Sequence, residues 1–241
     1  MPISDSINER SLEELGSIFA WVSKSPKRRR TVLIGGWAVY LYNPYFGSID
    51  LDLVTSSRNR KSLSNFLRRE RGFEYRRRVI SDDRKLSLRV GNALIDIDFA
   101  TFGTEDPFEG IERTLPMSIL DQRTVTGSIK DISIELADIS MMLIFKCKAA
   151  WDRARRLENR TSNDPAWDQS KLVKDRSDII ALIDSDEILD LGFLGTFFEE
   201  NEFLEPVIDE LTGYEDAIIK YGKDRDAVIR KIDRLRSNVF R

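Results

Sequence analysis

Four aspartates of the sequence stand in two pairs, Asp50 with Asp52 and Asp96 with Asp98, and one apolar residue separates the members of each pair. Alternate residues of a β-strand point to the same face, with Cα atoms ~6.5–7 Å apart, so each pair predicts two neighbouring carboxylates. Such carboxylates can bind one divalent cation, or two cations roughly 3.5–4 Å apart as in two-metal phosphoryl transfer. The alternative is that strand aspartates simply face solvent on the open side of a sheet. If the two strands are neighbours, three or four carboxylates converge and favour a cation between them.

Gly35 and Gly36 are the second chemical feature, because they lie between an apolar strand and a predicted helix. Glycine lets backbone N–H groups approach a phosphate, and the amino terminus of a helix favours negative charge. The sequence contains neither G-x-x-x-x-G-K-[ST] nor G-x-G-x-x-G, the common nucleotide-binding motifs. A Gly-Gly pair by itself is an ordinary turn, so its interpretation as a phosphate cradle depends on the nearby aspartates.

Composition limits the chemistry that these residues can perform. The chain has 241 residues, with one cysteine and no histidine. This excludes a disulfide framework, Cys/His zinc sites and catalysis through Cys–His or Ser–His pairs. Any metal must be held by oxygen, which favours Mg²⁺, Mn²⁺ or Ca²⁺.

Charge and hydropathy indicate the class of protein. The net charge of −3 gives no overall attraction to nucleic acid, although basic clusters at 27–30, 68–71 and 76–78 could form a patch. Charge runs of this kind are commonly solvated faces. The longest strongly apolar run, at 139–145, is far shorter than the ~20 residues that cross a bilayer. The amino terminus lacks a basic segment followed by an apolar one, so we expect a cytoplasmic protein without a membrane anchor.

The elements that must position the aspartates follow from hydrophobic periodicity and turn residues. We predict a helix that opens at Ser11, a second at 37–42, and a third that Ser56 or Ser57 caps and Gly72 ends. The predicted strands, with turns at Asp82-Asp83 and Gly91-Asn92, span residues 31–34, 48–55, 73–80, 85–90 and 93–100.

The second half of the chain has a different pattern. A loop-rich stretch follows Gly103, and from Ala137 onward the pattern is helical almost to the end, which places a domain boundary near 125–136. We therefore predict an α/β (α+β) fold. A mixed β-sheet with flanking helices would span 1–130, and a carboxyl-terminal helical bundle would span 131–241.

Two sets of motifs resemble known families. Ile34-Gly35-Gly36, thirteen further residues and Asp50-Leu51-Asp52-Leu53 resemble the signature of the DNA polymerase beta-like nucleotidyltransferase superfamily, which a third acid on a later strand completes. Lys146 to Arg153 looks like the K-x-x-A-x-x-x-R helix of AbiEii-type nucleotidyltransferases, and Lys174-Asp175-Arg176-Ser177-Asp178 is similar to their K-D-x-x-D motif. These motifs leave the last sixty or so residues unassigned.

The resemblance implies metal-dependent transfer of a nucleoside monophosphate from a nucleoside triphosphate to an acceptor hydroxyl, with release of pyrophosphate. Asp50, Asp52 and Asp96 would bind Mg²⁺ or Mn²⁺, and Asp98 is the alternative third acid. Residues that would bind the nucleotide are Gly35, Gly36, Ser48, Lys146, Arg153, Lys174, Asp175 and Asp178. Members of the family include toxins of toxin–antitoxin and phage-defence systems, and some related toxins modify tRNA 3′ ends. The expected partners are thus a tRNA or protein acceptor and an antitoxin, and a small-molecule acceptor stays open.

One departure from the family pattern favours a rival interpretation. Family members often carry Arg-x-[Ser/Thr] before the acid pair, but Phe46 stands at the arginine position here, while Ser48 fits the hydroxyl position. The rival is a catalytically inactive nucleotide-binding or regulatory module of the same fold. The K-D-x-x-D segment likewise has a structural alternative, a helix with an intrahelical salt bridge between Lys174 and Asp178.

Overall fold

The computed structural model describes residues 5–28, 30–77 and 84–240. The chain divides into two compact units. Unit 1 comprises Met1–Leu41, Gly47–Glu105 and Pro116–Ala137, and unit 2 comprises Tyr42–Phe46, Asp106–Leu115 and Asp138–Arg241. The predicted turn at Asp82-Asp83, the end of the predicted strand at 78–80 and the last residue of the basic cluster at 76–78 lie outside the described residues.

A mixed β-sheet forms the centre of unit 1, as the sequence predicted. The strands of the described residues are β1 (Thr31–Ile34), β2 (Leu51–Thr55), β3 (Glu74–Arg77), β4 (Arg84–Val90), β5 (Ala93–Thr101), β6 (Glu105–Pro107), β7 (Thr114–Pro116), β8 (Thr124–Ile129) and β9 (Ile132–Ala137). Within the described ranges, seven of them form one sheet in the order β3-β4-β5-β2-β1-β9-β8, and β6 pairs with β7. The β2–β5 and β1–β9 pairs are parallel.

The apolar face of this sheet determines where the aspartates point. Leu33 lies opposite Leu53, and Leu51 lies opposite Ile97. All four side chains are at most 2% exposed, and burying each of them stabilises the fold by roughly 1.5–3 kcal/mol. Because side chains alternate along a strand, the residues between these positions point to the opposite face.

Helices flank the sheet in unit 1 and form most of unit 2. They are α1 (Asp5–Ser23), α2 (Gly35–Tyr42), α3 (Ser57–Glu70), α4 (Ile139–Glu158), α5 (Pro165–Ile183), α6 (Leu191–Glu200), α7 (Glu205–Asp209), α8 (Glu215–Tyr221) and α9 (Arg225–Val239). Of the two serines predicted as the cap of α3, Ser56 is the cap, since its side chain accepts a hydrogen bond from the Asn59 N–H. The prediction of a helical carboxyl-terminal part is also confirmed. None of the described helices has the length and apolarity to span a bilayer.

The prediction that Ser11 opens a helix is wrong. Helix α1 begins at Asp5, and Ser11 is fully buried inside it. The Ser11 hydroxyl donates a 2.9 Å hydrogen bond to the carbonyl oxygen of Ile49 and accepts one of 2.9 Å from Trp37 Nε1. A serine inside a helix can thus use its hydroxyl for a tertiary contact, which local sequence does not reveal.

Residues 124–137, where the sequence suggested a boundary, form the hairpin of β8 and β9. Strand β9 pairs in parallel with β1, with Leu33 opposite Leu136. The sheet therefore continues to Ala137, and α4 follows directly after its cap, Asp138, whose carboxylate accepts a hydrogen bond from the Met141 N–H.

Candidate active site

The contact between Gly35 and Asp52 forms the centre of the candidate site. Gly35 is the first residue of α2, and its φ of +72° lies in the left-handed region that favours glycine. A Cβ atom at Gly35 would lie 2.6 Å from Cγ and 2.7 Å from Cβ of Asp52. The Asp52 side chain therefore fills the space that any larger residue at position 35 would need. A carboxylate of β2 is thus set against the amino-terminal end of α2.

Asp98 is the second carboxylate on this face. It lies opposite Asp52 in the parallel β2–β5 pair, so both side chains point to the same side of the sheet. Asp98 forms an ion pair with Lys85 of β4, whose side chain is 13% exposed while that of Asp98 is 44% exposed. A pair this accessible contributes about 0–1 kcal/mol to stability. Its importance is local, because it places a positive charge beside the acids.

Asp96 has a neutral partner instead. Ser87 of β4 lies opposite Asp96 and donates a 2.6 Å hydrogen bond to its Oδ1 atom. Strands β4 and β5 are joined by the predicted Gly91-Asn92 turn, in which Gly91 has a φ of +58°. A two-residue turn determines the register of a hairpin, so counting back from it places Ser87 opposite Asp96. The same count brings Lys85 level with Asp98, and both partners could have been found from sequence.

Asp50 directly precedes β2 rather than lying within it. The Ser48 hydroxyl, which the sequence assigned to phosphate binding, lies 3.4 Å from the backbone oxygen of Asp50. On the other side, the Ser11 hydroxyl holds the carbonyl of Ile49 and is itself held by Trp37. Ser11 and Trp37 therefore position the segment that carries Asp50, and no local pattern marked them for this role.

The donor atoms of this face suit a hard divalent cation. Asp52, Asp96 and Asp98 share one face of the sheet and offer carboxylate oxygens. In residues 5–28, 30–77 and 84–240, no three acidic, cysteine or histidine side chains form a group that could hold a metal ion. Mg²⁺ at phosphoryl-transfer sites is usually bound by one or two carboxylates together with substrate phosphates and water. Asp52 and Asp98, which lie opposite each other in the β2–β5 pair, offer the two carboxylates of that mode.

Five other predicted site residues meet where α4 and α5 pack in unit 2: Lys146, Arg153, Lys174, Asp175 and Asp178. The Lys146 ammonium lies 3.1 Å from a carboxylate oxygen of Asp175 and 2.7 Å from one of Asp178. Lys174 lies 2.8 Å from Asp178, and Arg153 pairs with Asp175. These groups neutralise one another in a largely buried network, so each is costly to remove. Their assignment to nucleotide binding stays a prediction.

Burial and charge together set the protonation of this network. Burial would raise the pKa of Asp178, but the ammonium groups of Lys146 and Lys174 outweigh it and hold this pKa at about 2. Burial would lower the pKa of Lys146, but the carboxylates of Asp178 and Asp175 raise it above its ordinary value. Burial dominates at Lys174 and lowers its pKa. Tyr45 donates a hydrogen bond to Asp178. The pKa of Tyr45 is raised, mainly by burial and also by the negative charge of Asp178.

Phe46, the departure from the family pattern, has a cation over its ring. The Lys220 ammonium of α8 lies 4.4 Å from the ring centroid of Phe46, within the range of a cation–π contact. Lys220 was not among the predicted residues, and only the packing of unit 2 brings it to position 46.

Comparison with known proteins finds similarity among the solved structures. No family model and no curated protein matches the chain. The chain is similar to the crystal structure of an antigenic nucleotidyltransferase-like protein from Paracoccidioides brasiliensis, with 14% sequence identity and a TM-score of 0.49. The match covers 96% of this chain and 94% of that chain. A likeness of this degree assigns no activity.

Proposed function

We propose that the chain is a metal-dependent nucleotidyltransferase that moves a nucleoside monophosphate from a nucleoside triphosphate to an acceptor hydroxyl. The observation that carries the proposal is the contact of Asp52 with Gly35. It combines a carboxylate for a cation with a strand-to-helix turn for phosphates, the two groups that a metal–triphosphate complex requires. The resemblance of residues 34–53 to the polymerase beta-like signature supports the same chemistry.

The protein's part in binding follows from this geometry. The triphosphate would bind at the amino-terminal end of α2, beside the Asp52 carboxylate that packs against Gly35, where backbone N–H groups and the helix dipole offset negative charge. Asp50 and Asp52 would hold Mg²⁺ or Mn²⁺, which when bound neutralises phosphate charge and eases deprotonation of the acceptor hydroxyl. Ser11 and Trp37 keep the segment before β2 in place, so the carboxylates are positioned before substrate arrives.

In the reaction, the acceptor oxygen forms a bond to the α-phosphorus. The bond from that phosphorus to the oxygen shared with the β-phosphate breaks, and pyrophosphate leaves with the electron pair. The acceptor's proton goes to Asp96, which accepts the Ser87 hydrogen bond on Oδ1 and so offers Oδ2. Asp98 is the weaker candidate for this role because the Lys85 ammonium already engages it.

The acceptor hydroxyl belongs, in this proposal, to an RNA. The AbiEii-type motifs support an RNA acceptor, with the 3′ hydroxyl of a tRNA as the specific candidate, and a role as a toxin with an antitoxin partner. Nothing in the chemistry of the carboxylate face separates an RNA hydroxyl from a protein hydroxyl, so the assay must include both.

The test is a transfer assay with each α-labelled nucleoside triphosphate, Mg²⁺ or Mn²⁺, and total tRNA or total protein. Asp52→Asn and Asp50→Ala should each lower transfer by about a hundredfold or more, because each removes a carboxylate that would hold the cation on the phosphates. Asp131→Asn, which removes the same charge at an exposed position of unit 1, should leave transfer unchanged. Absence of transfer to any acceptor by the unmodified protein would refute the proposal.

One observation favours a second candidate, a module that binds nucleotide without turnover. The Lys85 ammonium sits on Asp98, where a catalytic cation could otherwise bind. Equilibrium binding of a labelled nucleoside triphosphate, measured on the same preparations, separates the two functions. The second function requires that the protein binds the nucleoside triphosphate without transferring it, and that Asp50→Ala binds the nucleotide almost as tightly.

A further inference from the structure

Charge is distributed unevenly along the chain. Residues 24–71 contain eleven Lys or Arg residues and three Asp or Glu residues. The rest of the chain contains twenty-seven Lys or Arg residues and thirty-eight Asp or Glu residues. Residues 24–71 therefore carry an excess of eight positive charges, although the net charge of the whole protein is −3. Two of the three acids in the segment, Asp50 and Asp52, belong to the candidate active site. A local field of this sign attracts polyanions even though the whole chain is acidic.

Four of these eleven cations lie on one face of α3. Arg58, Lys61, Arg68 and Arg69 fall within an arc of about 100°, because successive helical residues are ~100° apart. All four are exposed, and the opposite side of the helix buries Leu63 and Leu67. From Arg58 to Arg69 the stripe is ~16 Å long at 1.5 Å per residue. A stacked nucleic-acid strand carries one phosphate per ~3.4 Å, so about five phosphates match this length.

Arg28 extends this surface beyond the helix. Its guanidinium carbon lies 3.8 Å from the ring centroid of Trp21, and that ring stacks on Phe66 of α3 at 5.5 Å. The Asn59 amide of α3 also donates a hydrogen bond to the Arg28 carbonyl oxygen. The segment around Arg28 and α3 therefore form one continuous surface of unit 1, with the arginine plane held in a defined orientation.

The cations of the stripe form no ion pair with the part of the chain that the structure describes. Among the residues that the structure describes, no carboxylate lies within 4.0 Å of a charged nitrogen of Arg58, Lys61, Arg68 or Arg69. By contrast, Arg71, two residues beyond the stripe, is paired with the buried Glu14. Within residues 5–28, 30–77 and 84–240, the stripe therefore contributes no ion pair to folding.

An exposed aromatic ring stands beside one end of the stripe. Tyr75 is 48% exposed, and the guanidinium carbon of Arg68 lies 5.3 Å from its ring centroid. An accessible ring beside cations suits a strand whose bases are unpaired, because a base can stack on the ring while the backbone follows the charges.

We propose that the α3 face, defined as Arg58, Lys61, Arg68, Arg69 and Tyr75 together with Arg28, binds a single-stranded polynucleotide through its phosphates. This binding does not require the transfer reaction. The additional statement that the bound strand is the acceptor rests on the proposed function.

The test measures fluorescence anisotropy of a labelled 20-nucleotide oligo(U), and of oligo(dT) of the same length, as a function of salt. Each contact with a single strand contributes about 0.7 to the slope of log K against log salt, which is about a fivefold change in affinity at ~0.1 M salt. Arg58→Gln with Lys61→Gln should therefore weaken binding about 25-fold and reduce the slope by about 1.4. Arg230→Gln with Arg234→Gln removes the same charge from exposed positions of α9 and should leave both quantities unchanged.

Each outcome decides the proposal. Loss of affinity in the α3 variant alone supports it, with either RNA or DNA as the bound strand. Equal losses in the α3 and α9 variants would show only an effect of net charge and overturn it, as would no binding by the unmodified protein. Binding to vesicles with 30% phosphatidylserine, without binding to either oligonucleotide, would assign the face to a lipid surface and also overturn it. Asp52→Asn should abolish transfer yet bind oligo(U) normally, so failure of the transfer chemistry is separable from failure of this surface.

Discussion

Replacing Gly35 with alanine tests the geometry on which the candidate site depends. A Cβ at this position would lie 2.6 Å from Cγ of Asp52, closer than real Cβ contacts allow, so β2 or α2 must shift. The substitution also places alanine at a φ of +72°, which costs about 1–2 kcal/mol. Overpacking adds about 1–3 kcal/mol, so the free energy of unfolding should fall by about 2–5 kcal/mol.

Gly91→Ala is the matched control for backbone strain. Gly91 also has a positive φ, of +58°, but a Cβ there would meet nothing within 4 Å. Its cost should be limited to about 1–2 kcal/mol. Urea unfolding of both variants, followed by tryptophan fluorescence, measures the difference.

A double-mutant cycle isolates the contact with Asp52. Asp52→Gly removes the three atoms that lie nearest to the new Cβ. Gly35→Ala should then cost about 1–3 kcal/mol less in the Asp52→Gly background than in the unmodified protein. If Gly35→Ala costs no more than Gly91→Ala, or if the cycle shows no coupling, the Asp52 carboxylate does not occupy the turn and the site model is refuted.

Three further predictions concern the charged groups. The pKa of Asp178 is about 2 against an ordinary 3.8, so its ionisation stabilises the fold by about 2 kcal/mol above pH ~4. This stabilisation is lost as the pH falls from ~4 toward 2. In urea unfolding, the free energy of unfolding of Asp178→Asn should lack this dependence on pH. If the variant and the unmodified protein show the same pH dependence, the lowered pKa of Asp178 is contradicted. Lys146→Met should lower the free energy of unfolding by about 3–5 kcal/mol because it leaves buried carboxylates under-compensated, whereas the exposed Lys24→Met should change it by less than ~0.5 kcal/mol. Lys85→Met should tighten Mn²⁺ binding several-fold, because it removes the cation beside Asp98. Calorimetric titration of Mn²⁺ without nucleotide measures this affinity, and an unchanged affinity would contradict the prediction.

Much of the sheet could be predicted from local sequence. Strand β1, the glycine turn, helix α2 and strand β2 follow in the predicted order, since apolar alternation, glycine and Asn-Pro each act within a few residues. The Ser56 cap of α3 and the Gly91-Asn92 hairpin were identified for the same reason. The two-residue turn also determines the hairpin register that places Ser87 opposite Asp96.

The tertiary structure alone decided how these pieces assemble into a site. Asp52 lies opposite Asp98 only because β2 and β5, about forty residues apart, pair in parallel at one register, and no turn links them to determine that register. The addition of β8 and β9 beyond β1 and the hydrogen bonds of Ser11 likewise depend on distant partners. The alternation of aspartates and the glycine turn were therefore local properties of the sequence. Their convergence on one face was not, because long-range pairing depends on the packing of whole elements rather than on the residues beside them.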